Sequence, residues 1–126
     1  MIVAGIGCRK NTDTDAVLIA IDDALSRHGL AAGELDALAT VPQKCSEQGI
    51  RDAAARLGLP LVVAGEAELL EVETLSHSPA SVETTGTGSA SEAAALAIAG
   101  RAGRLLGPRI VAGAVTCAIA VGEGKP

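Results

Sequence analysis

The segment Thr84–Gly100, TTGTGSASEAAALAIAG, carries residue types suited to binding an anion. Ser89 and Glu92 have the S-x-x-E spacing of a capping box, which predicts that a helix starts at Ser89 or just after it. The backbone N–H groups of Gly86 and Gly88, followed by the unpaired N–H groups of a first helical turn, favour a negatively charged ligand. A flexible surface connection is the alternative interpretation. The predicted binding loop consists of Thr85, Gly86, Thr87, Gly88 and Ser89.

Two of the chain's three lysines, Lys10 and Lys44, lie in the loops GCRK and VPQK, each of which follows a predicted strand. Ligands of open α/β sheets bind outside the carboxyl ends of the strands, so these loops are expected at the binding edge. With Arg9, the two lysines would form a cationic cluster on a chain of formal net charge −5. Three solvated surface charges are the alternative. The ligand-binding candidates from this region are Gly7, Cys8, Arg9, Lys10, Thr40 and Lys44.

Other site chemistries have less support in the sequence. Lys10 stands where the dinucleotide motif G-x-G-x-x-G needs its third glycine, and no G-x-x-x-x-G-K-[ST] motif is present. His77, in SHSPAS before the Gly-rich loop, is a candidate acid or base, with an ordinary loop histidine as the alternative. The three cysteines are odd in number and far apart, which argues against a disulfide framework and a zinc site. We therefore expect no metal and no cofactor.

The composition indicates a single domain over residues 1–126, built without any Phe, Tyr or Trp. The absence of aromatic side chains removes the platforms on which single-stranded nucleic acids stack, and the negative charge opposes binding to phosphate backbones. The apolar run at the N-terminus is too short for a signal peptide, and no apolar run is long enough to cross a bilayer. These features predict a cytoplasmic protein that binds neither nucleic acid nor membrane.

Strands and helices alternate along the chain, which predicts a mostly parallel sheet covered by helices on both faces. A second helix is predicted to begin near Ser46 and to end at Gly58. The first helix is indicated by a Thr12–Asp15 capping box and by an apolar face at helical spacing. That face consists of Val17, Ala20, Ile21, Ala24 and Leu25. The predicted strands are Ile2–Ile6, Leu35–Val41, Leu61–Ala64 and one or two within Arg109–Val121, with a bend or a bulge at Gly113. Gly7–Asp13 is predicted as a loop.

Five segments together resemble a known family. GIGCRKNTD, LATVPQKCSEQGI, LGLPL, TGTGSASEAAAL and VTCAIA occur here in the order found in that family. The family is the cobalamin-biosynthesis family of stand-alone CobE and the C-terminal domain of CbiG, the cobalt-precorrin-5A hydrolase. The resemblance covers essentially the whole chain. Because the N-terminal region of the hydrolase has no counterpart here, the chain resembles the stand-alone form.

The resemblance implies a three-layer α/β/α sandwich with a sheet of about five strands, and a role in building the corrin ring of vitamin B12. It also implies a tetrapyrrole ligand, a precorrin or corrinoid, with other cobalamin-pathway enzymes as further partners. The rim of carboxylates on such a ligand suits the cationic and N–H-rich loops. Two functions stay open at this point. One is a hydrolase that opens a ring-side lactone of a precorrin, and the other is a non-catalytic corrinoid carrier.

Overall fold

The computed structural model describes residues 1–41, 47–65, 90–100 and 102–124. In these ranges six strands form one sheet, and three α-helices and one short 3-10 turn, Ala32–Glu34, accompany it. The strands are β1 (Ile2–Cys8), β2 (Ala37–Thr40), β3 (Leu61–Val63), β4 (Arg104–Leu105), β5 (Ile110–Ala112) and β6 (Val115–Val121). The helices are α1 (Thr14–Arg27), α2 (Gln48–Leu57) and α3 (Ala90–Ala99). None of the helices described is long and apolar enough to cross a membrane.

The sheet is parallel on one side and antiparallel on the other. Its order is β3-β2-β1-β6-β4, and β5 pairs with the same edge of β6 as β4 does. The strands β1, β2 and β3 are parallel, while β6 runs antiparallel to β1 and pairs with it from Ile2–Val121 to Cys8–Val115. A regular ladder therefore reaches Gly7 and Cys8. Both residues belong to β1, so the prediction that the loop begins at Gly7 is wrong, because β6 supplies backbone partners for two more residues.

Two hydrophobic cores lie on opposite faces of the sheet. Ile6, Leu38 and Ile119 pack with the buried sides of α1 and α2. Val3 and Ala120 pack with α3 on the other face. Neighbouring residues of β1 and of β6 thus belong to different cores, as the alternation of side chains along a strand requires. This arrangement confirms the predicted three-layer α/β/α fold, with six strands where about five were predicted. The sheet is parallel over β1, β2 and β3, and antiparallel where β6, β4 and β5 join it.

Helix α1 buries the face that its sequence predicts. The buried residues of α1 are Val17, Ala20, Ile21, Ala24 and Leu25. Its N-cap is Asp13, whose carboxylate accepts a hydrogen bond from the Ala16 N–H at 3.0 Å. The predicted Thr12–Asp15 capping box is therefore wrong, because the Thr12 hydroxyl donates instead to the carbonyl of Arg9. The helix starts one residue later than that motif implies.

Two glycines allow α3 to lie directly on the sheet. A Cβ at Gly5 would overlap the carbonyl oxygen of Ser91, and a Cβ at Gly122 would overlap that of Ala99. Gly5 lies in the middle of β1, while the Gly122 N–H donates to the carbonyl of Met1 at its amino end. Helix α3 therefore runs antiparallel to β1, and its N-terminus points toward the edge where β1 ends.

The segment after β4 forms a hairpin of two strands, where the sequence predicts one or two. Strands β5 and β6 are joined by Gly113 and Ala114, and Gly113 has φ +61°, a conformation that favours glycine. The predicted bend at this position is confirmed. Strand β4 was not predicted, since two residues give no detectable periodicity.

Candidate ligand-binding site

The N-termini of all three described helices lie toward the carboxyl edge of the parallel strands. Helix α1 follows β1 and helix α2 follows β2, so each starts at the edge where its strand ends. Helix α3 reaches the same edge because its first turn lies over Gly5. A helix N-terminus carries a partial positive charge and N–H groups without partners inside the helix. This edge therefore has a favourable potential for anions before any side chain is considered.

On the α3 side of this edge, three residues form a row across neighbouring strands. Thr116 pairs with Gly7 of β1 on one side and with Val111 of β5 on the other. Paired residues share a face, and Gly7 lies two positions after Gly5, so this row faces the same side as α3. Ser91 lies over Gly5, which is two residues before Gly7 on the same face of β1. The Gly7–Thr116–Val111 row is thus the strip of sheet in front of the N-terminus of α3.

The side chains of the Gly7–Thr116–Val111 row rise little above the sheet, and the row is partly open to solvent. Gly7 has no side chain, and a Cβ there would lie 2.8 Å from the Thr116 Oγ1 atom. The Thr116 hydroxyl donates to the Gly7 carbonyl at 3.4 Å, a long hydrogen bond. Val111 is 62% exposed although it lies in a strand. A flat ligand could therefore approach this strip closely.

The loop after β1 carries two of the predicted cations. Arg9 and Lys10 are both exposed. The Arg9 N–H donates to the carbonyl of Ala114 at 3.0 Å, which extends the β1–β6 pairing by one residue. The Asn11 N–H donates to a carboxylate oxygen of Glu47 at 3.0 Å, which ties the loop to the start of α2. The loop is held at both ends, and its cationic side chains face solvent.

The other half of the edge is acidic, which the sequence did not predict. An open groove of about 310 Å³ lies between the starts of α1 and α2. Asp13, Glu47 and Asp52 line it, with no lysine or arginine among its lining residues. These carboxylates meet only in the folded chain, since Asp13 and Glu47 lie on different connections. These side chains would repel a ligand rich in carboxylates at this groove.

A buried carboxylate holds the start of α3 to the strand beyond the row. Glu92 is fully buried in the first turn of α3, and its Oε2 atom accepts a hydrogen bond from the Arg109 N–H at 3.0 Å. Arg109 immediately precedes β5. The S-x-x-E spacing drew attention to Glu92 as a capping residue, but gave no sign of this long-range partner. The bond links α3 to the strand that carries Val111.

Two further candidates are less accessible than the loop cations. Thr40 is buried at the end of β2, and its hydroxyl donates to the carbonyl of Ile6 at 3.0 Å. Cys8 is half-buried and packs against the core beneath α1 and α2. A ligand contact by either stays a prediction. Cys117 has no accessible surface, and burial together with the charge of Asp23 raises the pKa of its thiol to about 12.

The remaining candidates lie outside the described residues. They are Lys44, Thr85, Gly86, Thr87, Gly88, Ser89 and the candidate acid or base His77. Of the proposed site residues, the structure places Gly7, Arg9 and Lys10 at the carboxyl edge of β1, toward which the start of α3 points. Thr116, Val111 and Arg109 were not among the predicted candidates, and Glu92 was predicted only as a capping residue. Thr116 and Val111 could be identified only from the pairing of β6 with β1 and β5, which depends on the tertiary fold.

The architecture places the chain among three-layer α/β/α domains with a mixed sheet. Within that class it belongs to the family described as cobalamin synthesis G C-terminus, whose model matches residues 2–120. Protein CobE from Sinorhizobium sp. is 30% identical over 121 residues, which cover 94% of this chain and 79% of that protein. The chain is accordingly a cobalamin biosynthesis protein of the CobE and CbiG type.

Solved structures agree with this assignment. A crystal structure of CobE, a protein from the cobalamin (vitamin B12) biosynthetic pathway, is 33% identical and superposes with a TM-score of 0.90 over 100% of this chain and 93% of that one. The cobalamin biosynthesis protein chiG from Agrobacterium tumefaciens str. C58 is 39% identical, with a TM-score of 0.78 over 98% of this chain and 99% of that one. The resemblance to this family is therefore confirmed.

Proposed function

We propose that the protein binds a polycarboxylate precorrin or corrin intermediate at the carboxyl edge of β1, on the α3 side. The ligand's carboxylates would meet the N-terminus of α3 and the side chains of Arg9 and Lys10. The observation that carries this proposal is the division of the edge into two halves. The half between α1 and α2 has three carboxylates among its lining residues, whereas the α3 half combines a helix N-terminus with a flat strip of sheet. Arg9 and Lys10 are exposed in the loop that follows β1 at this edge.

The proposed binding mode suits a molecule that is flat and highly charged at its rim. Phe, Tyr and Trp are absent from the sequence, so a macrocycle would lie against glycine and aliphatic surface and not against a stacked ring. Its acetate and propionate groups would supply the charges that the cations and the helix N–H groups attract. A nucleotide would find none of the recognised phosphate-binding motifs in this sequence.

We favour binding without chemistry over hydrolysis, because His28 gives hydrolysis no support and the candidate acid or base His77 lies outside the described residues. His28 is the one histidine among the described residues, and it caps the C-terminus of α1, at the opposite edge of the sheet. Holding an intermediate, or passing it to another enzyme of cobalamin synthesis, requires only the binding surface. A hydrolase acting on a precorrin lactone is the second candidate, supported by the family relationship to CbiG.

One titration separates these functions. The purified protein is mixed with uroporphyrin, with cobyrinic acid and with a lactone-bearing precorrin, and the absorbance spectrum and the mass of the recovered tetrapyrrole are followed together. We expect a saturable spectral shift at micromolar concentrations with no change in mass, and no competition by ATP or NAD. Saturable ATP binding without a tetrapyrrole effect would refute the proposal. For precorrin intermediates, a product of altered mass would identify the hydrolase instead.

Lys10→Ala tests the role of the exposed cations. Loss of one charge-assisted hydrogen bond should weaken uroporphyrin binding by about 1–3 kcal/mol, and thermal stability should be unchanged because Lys10 is exposed in a loop. Arg104→Ala is the matched control, since Arg104 is an exposed cation paired with Val121 at the opposite edge of the sheet. Equal losses for both variants would indicate a general charge effect and a misplaced site.

A further inference from the structure

We propose that the Gly7–Thr116–Val111 row is the floor on which the face of the tetrapyrrole macrocycle lies. This inference rests on the proposed function and deepens it, because it assigns a surface to the ring as distinct from its carboxylates. The occupant is a flat, partly apolar ring with an anionic rim. The following observations concern only described residues.

The first observation is the shape of the strip. Gly7 contributes no side chain, Thr116 directs its hydroxyl onto the Gly7 carbonyl, and Val111 adds an isopropyl group at the outer end. All three lie on the α3 side, but α3 contacts the sheet at Gly5, one step inward. The row is consequently left outside the area that α3 covers.

The second observation is the exposed valine. Val111 is 62% exposed in β5, while its neighbour Ile110 belongs to the core on the other face. Burying an aliphatic side chain removes apolar surface from water, so covering Val111 with the face of a macrocycle is favourable. The strip therefore offers the apolar contact that the ring needs.

The third observation is charge complementarity around the strip. The N-terminus of α3 lies on its inner side, and the exposed Arg9 and Lys10 follow β1 at its end. A ring on this floor would place rim carboxylates toward positive potential, away from the groove lined by Asp13, Glu47 and Asp52. Shape and charge thus select the same strip for the same kind of ligand.

The test compares two exposed aliphatic residues with the same change. Val111→Asp introduces a carboxylate at the floor, whereas Ile19→Asp introduces one on the outer surface of α1, where Ile19 is 64% exposed. The affinity for uroporphyrin is measured by its fluorescence, with thermal melting as the check on folding. We expect Val111→Asp to weaken binding at least about tenfold by like-charge repulsion, and Ile19→Asp to leave it unchanged.

A second measurement does not depend on any variant folding. The chain has no Phe, Tyr or Trp, so large ring-current shifts in its amide NMR spectrum on adding uroporphyrin would come from the ligand. We expect the largest shifts at Gly7, Val111 and Thr116. Equal affinities of the two aspartate variants, or the largest shifts at other residues around the start of α3, overturn the assignment of the floor and leave the proposed function intact. The largest shifts at the opposite edge of the sheet overturn the proposed site as well. No binding by the unaltered protein overturns both.

Discussion

Gly5 sets the distance between α3 and the sheet. A Cβ there would overlap the Ser91 carbonyl oxygen and come within 2.8 Å of the Ala95 backbone nitrogen, so the backbone of α3 would have to move. Because α3 also carries the N–H groups at the proposed site, one methyl group at this position would disturb both packing and binding geometry.

We expect Gly5→Ala to lower the free energy of unfolding by about 1–3 kcal/mol, the usual cost of forcing extra volume into a packed core. Gly33→Ala is the control, because a Cβ at Gly33 meets nothing within 4 Å and its backbone is not in the left-handed region. It should be neutral or stabilise by about 0.4–1 kcal/mol. Urea denaturation of both variants measures the difference. If the two variants were equally stable, the direct contact of the α3 backbone with Gly5 would not exist in solution.

Cys117 gives the molecule a pH dependence on the alkaline side. Burial holds the thiol in its neutral form, with a pKa raised from 9.0 to about 12. Between these values the unfolded chain loses the proton and the folded chain keeps it, so the folded state binds more protons. Stability therefore falls as the pH rises through this window, by at most about 1.4 kcal/mol per pH unit.

Removing the thiol should flatten that dependence. We expect the free energy of unfolding of Cys117→Ala to fall less steeply above pH 9.0 than that of the unaltered protein, although its absolute value is lower because of the cavity. Cys8→Ala, which leaves Cys117 in place, should retain the steeper slope. Denaturation at several pH values on either side of 9.0 measures the slopes. Parallel slopes for all three proteins would contradict the assignment.

At the scale of elements, α1 depends on a cap that its sequence did not identify. The Asp13 carboxylate accepts from the Ala16 N–H, and the Asp13 carbonyl accepts from Val17. We expect Asp13→Ala to cost about 0.5–2 kcal/mol of stability. Asp22→Ala removes the same charge from an exposed position inside α1 and should change stability by less than about 0.5 kcal/mol. Thermal melting distinguishes the two, and equal effects would argue for charge alone.

Local patterns predicted the elements better than they predicted the site. The buried face of α1, the stop of α2 at Gly58 and the bend at Gly113 follow from spacing and from glycine's access to positive φ. The direction in which β6 pairs with β1 leaves no such local trace, because either direction buries the same alternating residues. The Gly7–Thr116–Val111 row depends on that pairing, so it could not be predicted from the sequence.

At the scale of the whole molecule, β6 connects the two halves of the sheet. It pairs with β1 on one edge and with β4 and β5 on the other. We expect a chain that ends at Gly113, and therefore lacks β6, to show no cooperative thermal transition by circular dichroism. The full sequence should show one. A cooperative transition in the shortened chain would mean that β1, β2 and β3 form a stable unit without β6.

The pairing of β1 with β6 also determines when the chain can fold during synthesis. Strand β1 is translated first, yet its antiparallel partner spans Val115–Val121. Until those residues leave the ribosome, one edge of an apolar strand has no partner and can pair with other chains. Contacts between residues so distant in sequence also slow folding. Slow release from chaperones, or a shift to inclusion bodies when synthesis is fast, is the expected cellular consequence of this topology.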